Sequence, residues 1–180
     1  MSRPPRARES VLDAFEEILI AGGERAATMD ATARAAGVSK GGLLYHFASK
    51  EALEAGLIDR LGRLIDADVH EISNAADGAV AHYIRTSVMA GDPLDRAMLA
   101  VSRLAQGGSA AASAALHDAR ERWAGAVRPH MPDEASLNVV LLVSDGLYFN
   151  NMLGGAGPHP VLQDADMDAL VALLEGLGRG

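Results

Sequence analysis

Residues 28–53 read TMDATARAAGVSKGGLLYHFASKEAL, and the spacing of hydroxyl, glycine and apolar residues in them decides what the rest of the chain can be. Thr28 is placed as a helix N-cap, its hydroxyl oxygen accepting from the free amides of the following turn. The helix it opens is short, because Gly37 can take the left-handed conformation that ends a helix and that a residue with a Cβ resists. Ser39 then caps a third helix over about 40–47, with Val38 dropping into the angle between the two. Ser49 caps a long fourth helix, in which Leu53, Leu57, Leu61, Leu64, Ile65 and Ile72 form one apolar stripe.

Two short helices joined by a three- or four-residue turn containing glycine cross at a steep angle, which frees the second to enter a DNA major groove. Gly41 and Gly42 sit inside that second helix, where each costs roughly 1 kcal/mol relative to alanine. Packing, or a ligand pressed against the backbone, has to compensate. Phe47, beside Leu43 or Leu44 at the end of the helix, is expected to lock the unit together as core.

Outward from this stretch the apolar spacing stays helical. Val11, Leu12, Phe15, Ile18 and Leu19 recur at intervals of three and four, predicting a first helix over about 7–21 that stops at Gly22-Gly23. Gly- and Pro-rich punctuation at 73–79, 91–95, 106–110, 128–134 and 154–160 separates further helical patterns near 80–90, 95–106, 111–127, 134–153 and 164–177. Period-two alternation of β-branched residues is missing. The fold class that follows is all-α, about nine helices, with an N-terminal three-helix head over 1–50 and a helical body over 51–180.

Composition bounds the rest. With 180 residues, 49% of them hydrophobic, the chain can bury a core, and its lack of cysteine rules out disulfides and thiolate zinc sites. The opening MSRPPRARES has no apolar secretion signal and no window is apolar for long enough to span a bilayer. A cytoplasmic protein without a membrane partner is expected. The net charge of −8 is unevenly spread: residues 1–50 hold seven basic and six acidic side chains, the other 130 hold nine and eighteen. Segment 25–50 alone carries four positive charges against one negative, so phosphates would be attracted at one end of the chain and repelled by the other.

The pattern A-x-x-A-G-V-S-K-G-x-L-x-Y-H-F-x-S-K-x-x-L in residues 33–53 resembles the DNA-binding region of the tetracycline-repressor (TetR) family of transcriptional regulators, a likeness that covers about residues 8–60. It implies that Thr28, Ser39, Tyr45, His46 and Lys50 touch the phosphate backbone, which fixes register without reading sequence. Lys40, Gly41, Gly42 and Leu43 fall where the recognition helix faces base edges. There Lys40 can donate to guanine O6 and N7, and Leu43 is placed to meet a thymine methyl. Arg3, Arg6 and Arg8 are candidates for an arm that reaches phosphates or a minor groove. Three positions depart from the family pattern: Thr32 replaces a packing isoleucine or valine, Gly42 a hydroxyl residue and Leu44 a tyrosine. The first weakens the expected packing of the head, and the other two remove DNA contacts, shifting selectivity toward DNA shape and paired half-sites.

One small head makes few phosphate contacts, so two copies are expected. The resemblance implies that the last two helices pair with their symmetry mates as a homodimer, through Val139, Val140, Val143, Leu147 and Leu153 on one and Met167, Leu170, Val171 and Leu174 on the other. The plainer reading puts both stripes in the core of a single chain. The resemblance also implies a pocket for a small-molecule effector in the middle helices, with Tyr83, Met89, Met98, Leu104, Trp123, Tyr148 and Asn151 as candidate lining.

Enzymatic readings lack support. The six histidines do not fall at metal-ligand spacings, no G-x-S-x-G elbow or P-loop occurs, and GGAGPHP at 154–160 does not follow a strand. Asp66, Asp68, His70 and Glu71 form the densest polar cluster and read as the solvated face of a long helix. No metal, cofactor or catalytic residue is expected. The sequence therefore points to a ligand-responsive regulator, most simply a repressor, that binds a palindromic double-stranded operator. The alternative is an all-α small-molecule-binding or scaffold protein whose head binds DNA weakly or not at all, motivated by Gly42, Leu44 and the acidic body.

Overall fold

In the computed structural model, which describes residues 4–88, 91–154, 162 and 164–178, nine α-helices carry the chain and no strand occurs among the described residues. They are α1 (Pro4–Gly22), α2 (Met29–Ala35), α3 (Lys40–His46), α4 (Lys50–Ser73), α5 (Ala79–Thr86), α6 (Pro93–Gln106), α7 (Ala110–Val127), α8 (Glu134–Gly154) and α9 (Asp164–Leu177), with a 3-10 turn at Arg128–His130. Side chains do most of the capping. Thr28 Oγ1 accepts from the Ala31 amide at 3.2 Å, Ser39 Oγ from Gly42 at 3.0 Å and Ser49 Oγ from Ala52 at 3.3 Å, while Asp92 and Asp133 cap α6 and α8 in the same way.

Two boundaries differ from the sequence expectation. The first helix begins at Pro4 instead of near residue 7, because proline in a first turn gives up an amide that has no intrahelical partner there. The fifth ends at Thr86, short of residue 90, where the hydroxyls of Thr86 and Ser87 turn back to the His82 and Tyr83 carbonyls.

The helices divide into two compact units that interleave along the sequence. One comprises residues 1–64 and 91–119, the other 65–90 and 120–180. In the first, α1 packs against α2, α3 and α6, and its core is built from Val11, Leu12, Phe15 and Leu19 of α1 with Leu43, Phe47, Leu53, Leu57, Val101 and Leu104. Gly56 makes this packing possible: a Cβ there would stand 2.8 Å from the Phe47 ring and 3.2 Å from Leu12. In the second unit α5 packs against α8 and α9, around Ile72, Tyr83, Ile84, Leu137, Val140, Leu141, Leu147, Met167, Val171 and Leu174.

The first unit also buries a charge. Glu16 of α1, almost wholly enclosed, accepts from Arg60 of α4 at 3.4 Å and from Arg96 of α6 at 3.0 Å. Arg60 reaches Glu9 and Asp13 as well, and Arg96 reaches Glu17 at 2.6 Å, so each guanidinium is shared between a buried and an exposed carboxylate. Burial works against the Glu9 carboxylate, but the Arg60 hydrogen bond and charge overcome it and hold its pKa below the ordinary value.

Candidate nucleic-acid interface

The helix-turn-helix geometry is set by one residue. Gly37 has φ +66°, and the chain closes α2 there with Gly37 donating to the Arg34 carbonyl and Val38 to the Ala33 carbonyl at 3.0 Å. Ser39 then starts α3 in a new direction. Thr32, the departure expected to weaken packing, is fully buried, and its hydroxyl donates to the Thr28 carbonyl at 2.9 Å. Its polar atom is satisfied inside α2, so burial leaves no unpaired donor.

The two sides of α3 are chemically distinct. Leu43 and Phe47, four apart, are buried against α1. On the opposite side Lys40, Gly41, Leu44 and Tyr45 are exposed, an i, i+1, i+4, i+5 stripe that spans one turn. Leu43 therefore cannot meet a base: it is 0% exposed, whereas Leu44 is 43% and Tyr45 82% exposed. The expectation for Leu43 is corrected accordingly. Its spacing of four from Phe47 already carried the signal, since two residues one helical turn apart share a face.

The stripe's only charge is Lys40, which pairs with Asp30 of α2 at 2.9 Å. Both partners stay about two-thirds exposed, so the pair is open to competition. Lys50 is held more firmly: its ammonium donates to the Glu24 carboxylate and to the Glu24 carbonyl, which commits two of its three donors. Thr28 and Ser39 use their oxygens as cap acceptors, which leaves each hydroxyl proton available to an outside acceptor. His46 lies edge-on to Tyr45, with ring centroids 5.1 Å apart. Gly41 and Gly42 are helical with ordinary negative φ, and a Cβ on Gly41 would meet nothing within 4 Å. Of the proposed arginine arm, Arg8 is engaged, its guanidinium 5.0 Å from the Phe47 ring centroid and paired with Glu9. The Arg3 and Arg6 side chains lie outside the described residues.

Comparison with known families agrees with this geometry. Residues 11–55 match the model of bacterial regulatory proteins of the tetR family, and residues 77–175 match that of the tetracyclin repressor-like C-terminal domain. The chain belongs to the TetR family of transcriptional regulators. Such regulators are DNA-binding proteins with a C-terminal ligand-binding domain and are not enzymes. Among solved structures, this TetR-family chain is similar to Salmonella enterica GusR (TM-score 0.70, 15% identity, 100% of this chain and 99% of that one). It is also similar to a putative transcriptional regulator from Streptomyces coelicolor A3(2) (TM-score 0.66, 18% identity, 95% and 99%) and to the multidrug binding protein EbrR complexed with imidazole (0.62, 18%, 94% and 93%). At these identities the likeness is one of fold. No curated protein matches the chain.

In the second unit of this TetR-family protein, the apolar residues of α8 and α9 sort onto two faces. Val140, Leu147, Met167, Val171 and Leu174, expected at a dimer interface, are buried in the unit's own core, and Val143 and Leu170 pack half-buried against it. For these seven the plainer reading, core of one chain, describes what is observed. Val139 alone of the described set is exposed, and with it stand Leu142 and Phe149 of α8 and Leu173 of α9, which the sequence reading passed over. Leu153 lies outside the described side chains. The two readings stay open in the sequence for a physical reason: α8 is apolar around most of its circumference, so periodicity alone does not say which face turns inward.

The effector candidates separate too. Tyr83 and Trp123 come together in the second unit with centroids 6.4 Å apart, and the Trp123 indole N–H donates to Asp68 at 2.6 Å. Asp68, read as part of a solvated face, is thus a hydrogen-bond partner of a half-buried indole. Beside them Ser87 donates to the Tyr83 carbonyl and shares a 2.8 Å hydrogen bond with Ser144, so the core carries a polar patch that the sequence reading missed. Tyr148 lies half-buried on α8 of the same unit. Leu104 is core of the first unit, and Met98 is on the same helix, α6. Met89 and the Asn151 side chain lie outside the described residues. No helix among the described residues is long and apolar enough to cross a membrane.

Proposed function

We propose that this TetR-family regulator is a cytoplasmic, ligand-responsive repressor that binds a palindromic operator as a homodimer. Residues 1–50 would form its DNA-binding domain and residues 51–180 its effector-binding and dimerisation domain. The observation that carries the reading is the outward stripe of α3, where Lys40, Gly41, Leu44 and Tyr45 are exposed while Leu43 and Phe47 anchor the helix from behind. Lys40 faces base edges beside Gly41 and Gly42. Tyr45, His46 and the cap hydroxyls of Thr28 and Ser39 fix register on phosphates, with the remaining Lys50 donor adding a further contact. The bulky apolar side chains left exposed among the described residues fall in only two places, α3 and the α8–α9 pair. That distribution supports two partners: DNA for the first and a second copy of the chain for the second.

Dimerisation then runs through Val139, Leu142 and Phe149 of α8 with Leu173 of α9. Val139, Leu142 and Phe149 lie three and seven residues apart, close to one face of the helix. The effector binds the second unit near Tyr83, Trp123 and Tyr148. Binding the DNA-incompetent state more tightly by about 1–3 kcal/mol would lower operator affinity roughly 5- to 150-fold.

Titrating DNA affinity against salt tests the reading. A negative slope of about −0.9 per neutralised phosphate is expected, with Tyr45→Ala and Lys50→Ala weakening binding to all sequences alike. A flat salt response, or variants without effect on any DNA, would remove its basis. Leu142→Glu is expected to give a monomer by light scattering and to lose the operator, and a dimer that persists would move the interface elsewhere.

A further inference from the structure

We infer that Leu44 is a specificity-determining residue that reads the 5-methyl group of a thymine in the operator's major groove, an inference that rests on the DNA-binding reading of α3. The outward stripe of α3 is nearly devoid of groups that read bases by hydrogen bonding. It has no Asn, Gln or Arg, so bidentate recognition of adenine is closed to it, and its side-chain donors are the Lys40 ammonium and the Tyr45 hydroxyl, the second of which the DNA-binding reading assigns to a phosphate. What remains is apolar. Leu44 stands one turn beyond Lys40 on the same side of the helix and is 43% exposed, while among the described residues of its unit the other large aliphatic side chains are buried or half-buried.

Its neighbours make room for a close partner. A Cβ on Gly41 would meet nothing within 4 Å, so the surface beside Leu44 is low, and a base edge can approach the leucine without a side chain intervening. The thymine methyl is the one apolar group that a base pair of unmodified DNA presents in the major groove, and it is absent from the minor groove. An exposed leucine on a groove-facing helix has no other base feature to match. Leu43, adjacent in sequence, is fully buried and cannot share the role.

Deoxyuridine supplies the test, because it pairs as thymidine does and lacks only the methyl. A duplex enriched by the full-length protein from a random-sequence pool is resynthesised with each thymidine replaced singly by deoxyuridine. Burying one methyl corresponds to roughly a fourfold change in affinity, so one thymine per half-site is expected to show a loss of about fourfold, and both together about fifteenfold. Leu44→Ala should bind the thymidine and deoxyuridine duplexes equally at that position while keeping the wild-type salt slope, and Leu44→Met, which keeps an apolar side chain, should retain the preference. An enriched duplex without any methyl-sensitive thymine overturns the inference and leaves the regulator reading standing. So does a Leu44→Ala variant as methyl-sensitive as the wild type. A pool from which nothing is enriched overturns both.

Discussion

Alanine at position 41 is the most informative single substitution in this protein, because it should move stability and DNA affinity in opposite directions. Gly41 is helical, its φ is not positive, and an added Cβ meets no atom within 4 Å. Nothing inside the protein therefore requires glycine there, and its replacement should recover up to about 1 kcal/mol of helix propensity and unfolded-state entropy. For a cooperative unit of this chain's length that corresponds to a rise in Tm of roughly 2–4 °C. The new methyl projects from the outward stripe between Lys40, Leu44 and Tyr45. If the α3 backbone lies against base edges, the methyl enters occupied space at a cost of about 1–3 kcal/mol, which weakens binding roughly 5- to 150-fold per half-site. Differential scanning calorimetry and fluorescence anisotropy on the same preparation read both quantities. A Gly41→Ala protein that melts higher and binds operator as well as the wild type refutes the close approach. One that melts lower refutes the claim that packing leaves the position free.

Other substitutions probe neighbouring contacts. Asp30→Asn releases Lys40 and removes a carboxylate from the DNA-facing side, so affinity should rise about 1.5- to 5-fold per head at low salt, and an unchanged salt titration would show that the pair does not compete with DNA. Glu16→Gln removes the buried carboxylate shared by Arg60 and Arg96; since both guanidiniums keep exposed partners, a loss of about 1–3 kcal/mol in urea unfolding is expected, and a neutral result would reduce the network to surface pairing. Burial pushes the Tyr83 phenol up to about 12 from an ordinary value of 10.0, against a smaller opposing hydrogen bond with Ser144. The folded-state value exceeds the unfolded one, so this stability is complete below about pH 10 and is lost as pH rises toward 12, in all about 2–3 kcal/mol. Tyr83→Phe should flatten that alkaline decline in unfolding midpoints, and an equally steep fall in both proteins would assign it to other groups.

The helices, their caps and the turn can be read from the residue pattern alone, because each depends on interactions within a few residues. Thr28, Ser39 and Ser49 accept from amides three positions ahead, and Gly37 needs only its own missing Cβ. Family membership was legible for the same reason, the motif from Ala33 to Leu53 being a local pattern. Which side of a helix turns inward was only half legible. On α3 the Leu43–Phe47 spacing carried the answer. On α8, apolar on nearly every side, it did not, and Leu142 and Phe149 emerged as exposed only once Val140 and Leu147 were seen buried in the core of the second unit. Only tertiary structure brought together the charges and polar atoms distant in sequence. Arg60 and Arg96 meet on Glu16, Lys50 on Glu24, and Trp123 on Asp68. A local pattern says that a residue is charged and which way its own helix presents it. Its partner depends on how separate helices pack, and that is a property of the folded chain as a whole.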